Sequence, residues 1–177
     1  MDDGRAEVHY DNPFVAPVEA RDPARRLRGR LTAGVTVWTS GPVDAPAGLT
    51  MSSVVVAEGD PPRVLGLMSD TKDLWDTIGD TGAFVVHVLG RAERALAERF
   101  AGLTPSPGGM FAGLDVEHTQ WGPVLRALPN RASCRLEATS PAGYQQLVVG
   151  RVDAVEVAEL DDPLVYFRGR YRKLAER

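Results

Sequence analysis

Three groups of residues in this chain have types and spacings that could do chemistry. The first is Thr50-Met51-Ser52-Ser53, where hydroxyls stand at the mouth of the β-branched run Val54-Val55-Val56. Small side chains and free backbone amides let a flat, hydrogen-bonding ring approach a strand edge, which offers both donors and acceptors. Ordinary strand hydroxyls would read the same way. The second group is Ser69, Thr71 and Lys72, at the head of a helical pattern. The amide N–H groups and dipole of a helix start favour an anion such as a phosphate. Simple helix capping competes with that reading, and Asp70 and Asp73 add negative charge nearby. The third is the basic tail Arg168, Arg170, Arg172 and Lys173, which by composition alone is a surface cluster.

Other chemistries find no support. Gly-x-Gly-x-x-Gly, Walker, His-Glu-x-x-His and Gly-x-Ser-x-Gly patterns are missing from the sequence. His9, His87 and His118 have no ligand spacing, so no metal site is expected, and no carboxylate pair is placed for acid–base work. His87 lies in the apolar run Phe84 to Leu89 and reads as a satisfied core histidine. The single cysteine, Cys134, excludes an internal disulfide framework. It alternates with Leu136 and Ala138, as a buried structural thiol would.

At 177 residues, with 44% hydrophobic and 25% charged, the chain is expected to build one ordinary globular core. A net charge of −4 argues against nucleic acid as the partner. The cluster Arg25, Arg26, Arg28 and Arg30 reads as the solvated face of one helix. The acidic start carries no apolar signal segment, and no run approaches a membrane span. A cytoplasmic protein without membrane contact is therefore expected.

The elements that must position these residues follow in order. Residues 1–20 lack periodicity and read as an N-terminal arm, and 21–177 as the folded domain. Asp22 caps and Pro23 opens a short helix to about Arg30. Leu31 to Ser40 is expected as one strand, with Leu31, Ala33, Val35 and Val37 on one face. The stretch Ala47 to Pro62 is the central strand, stopped by Pro61-Pro62. Val64 to Met68 is a short strand, and Asp70 is the expected N-cap of the helix bearing Leu74, Trp75 and Ile78. Ala83 to Leu89 is a buried strand. Arg91 to Phe100 is an amphipathic helix with Ala92, Ala95, Leu96 and Phe100 on its inner stripe. Gly102 to Gly113 is rich in Pro and Gly and reads as an active-site or interface loop. Tyr144 to Val157 is a long strand with a bulge near Ala154-Val155, and Leu164 to Phe167 is the last strand. Many short strands without strand–helix alternation make a β-rich barrel with peripheral helices.

Three segments, Gly34-Val35-Thr36-Val37, Gly48-Leu49-Thr50-Met51-Ser52-Ser53 and Asp60-Pro61-Pro62, resemble in order the flavin reductase-like family. The tail Pro163-Leu164-Val165-Tyr166-Phe167-Arg168-Gly169-Arg170-Tyr171 is similar to the family's "PLVYYRGRY", and Gly82 to Leu89 to its "TGxFxVNVL". Glu98-Arg99-Phe100-Ala101 matches a further family fragment, and the likeness spans roughly Ala24 to Lys173. The resemblance implies a mainly β fold, the Greek-key-like FMN-binding split β-barrel with peripheral helices, assembled as a homodimer. It implies FMN, or FAD, with NAD(P)H as co-substrate, and a monooxygenase receiving reduced flavin. It carries cofactor contacts to Thr50, Met51, Ser52, Ser53, Ala57, Glu58, Ser69, Thr71 and Lys72. Arg168 becomes a candidate for the phosphate or the partner subunit.

Two positions depart from the family pattern. Where the family carries Gly-Asp-His before the strand Leu147 to Val149, this chain has Gly143, Tyr144 and Gln145. Family serines after the Ser pair are replaced by Val56 and Glu58. Glutamine cannot titrate near neutrality. The alternative reading is therefore a flavin-binding module without NAD(P)H turnover, storing or sensing flavin or taking a deazaflavin.

Overall fold

The structure is a computed structural model that describes residues 23–174. The expected arm at 1–20 and the Asp22 cap lie outside the described residues. In chain order the elements are α1 (Pro23–Arg28), β1 (Ala33–Gly34), β2 (Thr36–Ser40), β3 (Ala47–Met51), β4 (Val54–Ala57), β5 (Arg63–Met68), α2 (Asp73–Thr81) and β6 (Ala83–Val88). A 3-10 turn at Arg91–Glu93 leads into α3 (Arg94–Phe100). Then come β7 (Val116–Thr119), β8 (Gly122–Leu125), β9 (Arg131–Ala142), β10 (Gln145–Glu156), β11 (Val165–Phe167) and β12 (Arg170–Arg172).

Seven strands form one antiparallel sheet in the order β3-β2-β6-β9-β10-β5-β4. Its two edge strands, β3 and β4, are consecutive in the chain and separated only by Ser52-Ser53. The three residue steps from Met51 to Val54 span no more than about 11 Å. The sheet must therefore curl until its edges almost meet, and that curl makes a half-barrel, in line with the split β-barrel expected from sequence. The expected single strand Ala47 to Pro62 is in fact two strands on opposite edges, with the break at the serine pair. β3 bonds to β2, whereas β4 bonds to β5. The β propensity of the run reports extended backbone and is blind to a change of partner. Likewise Leu31 to Ser40 breaks at Val35. β1 joins a small sheet with β11 and β12, and β2 enters the large one.

The barrel interior is filled by Trp38 and Phe84, stacked with ring centroids 4.7 Å apart, with Met51, Val64, Met68 and Val148 around them. Gly66 and Gly150 make room for these rings: a Cβ at Gly66 would run into the Trp38 indole, and one at Gly150 into the Phe84 ring. A second core outside the barrel joins Val35, Val37, Leu89, Phe100 and Leu164. Both faces of β2 are thus buried, which explains its uninterrupted burial. Against the expected inner stripe of α3, Ala92 and Ala95 are exposed and Ala97 is buried. The 3-10 start rotates the helix relative to a continuous 3.6-residue period.

The Pro/Gly-rich loop is anchored in its own chain. Phe111 packs edge-on against Phe100 at 5.1 Å, and Arg99 Nη2 donates to the carbonyls of Gly109 and Ala112. The expected bulge in β10 appears as a register shift between Val152 and Ala154, with another between Val149 and Gly150.

Candidate functional site

The break between β3 and β4 lies where the barrel edges meet, and the ladder stops there. Ser53 keeps one bond, its carbonyl accepting from the Leu67 N–H at 3.0 Å. Both serines are half-buried, and neither hydroxyl, nor the Ser52 N–H, is bonded to another described residue. Donors and acceptors left open on half-buried residues between strand ends suit a flat polar ring. The neighbouring candidates are committed elsewhere. Thr50 Oγ1 donates to the Ala97 carbonyl at 2.6 Å, tying α3 onto β3. Met51 is buried in the barrel, and its carbonyl accepts from Thr36 Oγ1 at 2.9 Å.

Register brings two further groups to this end of the barrel. Ser53 bonds to Leu67, two residues before Ser69, and β5 pairs Met68 with Gln146 of β10. The Ser69–Lys72 turn and Gln145 therefore adjoin the serine seam. Ser69 Oγ and Thr71 Oγ1 are 2.9 Å apart, and Gln146 Nε2 donates to Asp70 Oδ2 at 3.3 Å. The expected Asp70 cap is not formed. α2 starts at Asp73, with Lys72 at the N-cap position and no side-chain cap. With Asp70 turned toward Gln146, half-buried Ser69 and exposed Thr71 and Lys72 bring two hydroxyls and an ammonium to this turn. Gln145 is half-buried at the start of β10, and its amide has no partner among the described residues.

Ala57 and Glu58 are exposed at the far end of β4, about 13 Å along the strand from Ser53 at 3.3 Å per residue. Arg168 is also apart from the seam. It sits in the β11–β12 hairpin at φ 52, and its N–H donates to the Gly29 carbonyl at 3.1 Å, away from Met51. Its guanidinium lies 5.8 Å from the Phe167 ring centroid.

His87 is fully buried, as expected of a satisfied core histidine. Its Nε2 accepts from the Leu125 N–H at 3.1 Å, so Nδ1 carries the proton and donates to the Val37 carbonyl at 3.2 Å. Burial, and secondarily the charge of Arg131, outweigh the Val37 bond and push its pKa from 6.5 down to about 4. The folded state thus binds fewer protons than the unfolded state between these values, so stability is lost as pH falls from 6.5 toward 4. Roughly 3 kcal/mol is at stake. Urea midpoints measured across that window should fall in the natural protein and fall less in His87→Gln; equal slopes would contradict the assignment. Cys134 is buried, and that burial raises its thiol to about 12, which rules it out as a nucleophile. Among the described residues no cluster of potential metal ligands forms, and no helix is long and apolar enough to cross a membrane.

Sequence reasoning missed the surroundings of Arg91 and Arg94. These residues are brought beside Asp162, Tyr171 and Arg172 only by the small sheet. Spacings of about 70 residues leave no local signal.

Comparison with known proteins agrees with this geometry. The chain is 34% identical over 159 residues to the NADH-dependent FMN reductase AsuE2 of Streptomyces nodosus subsp. asukaensis, covering 88% of this chain and 86% of the relative. It is 31% identical over 170 residues to the flavin-dependent monooxygenase reductase subunit HsaB of Rhodococcus jostii (strain RHA1), covering 94% and 84%. The solved structure of the flavin reductase PheA2 in its native state superimposes with a TM-score of 0.78 at 26% identity, covering 88% of this chain and all of that one. The flavin reductase like domain matches residues 28–175, and the chain belongs to that family.

Proposed function

We propose that this protein is an NAD(P)H-dependent flavin oxidoreductase that supplies reduced flavin to a monooxygenase. The observation that carries the reading is the open serine seam at the meeting of the barrel edges, in a chain of the flavin reductase-like family. Ser52 and Ser53 would hydrogen-bond the edge of an FMN or FAD ring, and Ser69, Thr71 and Lys72 would hold its phosphate. When bound, the flavin supplies the hydride-accepting atom, so the protein's work is to bind, orient and exclude water. Kinship with reductases named for NADH, FMN and monooxygenase systems supports the co-substrate and the partner. Anaerobic mixing of protein, excess FMN and NADH is expected to bleach the flavin absorbance over many turnovers. Binding without bleaching would instead support the second reading, a flavin-binding module, which Gln145 favours.

The same reading places the protein in the cytoplasm as a homodimer, with 21–177 as the working domain and 1–20 as an arm. One face of β4, β5 and β10 supports the dimer. Val55 pairs with Leu65, Leu65 with Val149, and Leu67 with Leu147, and all five are half-buried or exposed. Such an apolar sheet face beside the seam is suited to a symmetric partner. Light scattering on a sizing column should give the mass of two chains, and Leu65→Glu should shift it toward one. A monomer at high concentration would contradict the dimer.

A further inference from the structure

A cavity of about 320 Å³ opens between the 3-10 turn, the start of α3 and β12, apart from the serine seam. Arg91, Arg94, Arg172 and Lys173 line it, with a single acid, Asp162, among the lining residues. Arg91 Nε donates to Asp162 Oδ2 at 2.8 Å, and Arg94 Nε to Glu98 Oε1 at 2.8 Å. Arg172 has no side-chain partner among the described residues, so a guanidinium in the lining stands uncompensated in a chain whose net charge is −4.

The geometry favours a phosphate over a generic anion. Each of the two pairs is made through Nε, which holds the guanidinium plane and leaves its fork of terminal amino groups outside the pair. Arg94 is fixed further by the Tyr171 ring, 5.5 Å from its Cζ to the centroid. Planar forks held in advance suit the oxygens of a phosphate. The half-buried Tyr171 and buried Leu164 add an apolar wall. The volume is at the lower end of small-molecule sites, room for a phosphate with part of a nucleoside. Helix α3 links the cavity to the strand that leads into the seam. Ala97, one turn along α3 from Arg94, accepts the Thr50 bond from β3.

We propose that this cavity binds the phosphate of a nucleotide. The phosphate would come from the dinucleotide co-substrate, since the flavin phosphate is given to the Ser69 turn, and that assignment alone rests on the function proposed above. The test is calorimetric titration of the flavin-free full chain with ADP, 2′,5′-ADP and inorganic phosphate at low ionic strength. Saturable binding is expected, weakened about tenfold in Arg94→Gln and again in Arg172→Gln. Arg172 makes no assigned pair, so its variant keeps the test informative if Arg94→Gln disturbs Tyr171. A raised KM for NADH in these variants would assign the phosphate to the dinucleotide. Weaker FMN binding with unchanged riboflavin binding would overturn the dinucleotide assignment and move the flavin phosphate here from the Ser69 turn. Because the titration needs neither flavin nor hydride transfer, it stands even if the protein turns nothing over. No binding of any of the three, or equal affinity in variants that melt as the natural protein does, would overturn the proposal.

Discussion

Replacing Gln145 by His is expected to raise the rate of NAD(P)H oxidation by tens to thousands of fold. Gln145 is half-buried where β10 meets the Ser69 turn, and its amide has no partner among the described residues. A glutamine keeps one donor group and one acceptor, but it lacks the titratable group and the flat ring that can stack against a nicotinamide. Lost positioning together with a weaker contact corresponds to about 2–4 kcal/mol of barrier. The natural protein should therefore be slow, with no inflection near pH 6.5, whereas Gln145→His should be faster and acquire one. FMN affinity should stay nearly constant, because the serines lie between β3 and β4 and Gln145 on β10. Steady-state rates from pH 5.5 to 8.5 (an assay range of about three units spanning the imidazole pKa) decide it. A natural protein that is already fast would show that the histidine was never needed; a variant as inert as its parent would favour the binding module.

The second large effect is expected at the seam. In Ser52→Ala/Ser53→Ala, FMN affinity should fall by about 30- to 150-fold, or about 2–3 kcal/mol for two hydrogen bonds to a polar ring. The fold should tolerate the change, since neither hydroxyl is bonded to another described residue. The matched change Thr50→Ala should behave differently. Its hydroxyl ties α3 to β3 through Ala97, so it should cost about 1 kcal/mol of stability before it costs affinity. Flavin titration and thermal melts on the same samples separate the two effects. Unchanged affinity in the serine double variant would remove the seam from the site.

The residues that could be read locally were those whose role is local. The β-branched run after Ser53, the alternation of Arg63–Met68 and the apolar strand around His87 all gave their elements from types and period. His87 could be read as a core histidine because every neighbour in its strand is apolar, but its two partners, Val37 and Leu125, could not. The serine pair was legible as a candidate, yet its setting was not. That β3 and β4 sit on opposite edges depends on pairings with β2 and β5, and pairing leaves no trace in the propensity of either strand. The same holds for Thr50, whose hydroxyl looked available until α3 packed over it. Asp70 looked like a cap because of its type and position, but the long-range bond from Gln146 draws it away. The cationic cavity shows the limit most clearly. Arg172 and Lys173 stood out as a cluster, while Arg91 and Arg94 joined them only through the small sheet.

The central claim is that the Ser52–Ser53 seam seats a flavin. Equilibrium titration of FMN fluorescence with the purified full chain tests it most directly. The account predicts saturable quenching at micromolar protein with one flavin per chain, and loss of that saturation in the serine double variant. Fluorescence that stays unquenched by the natural protein, for both FMN and FAD, would contradict it.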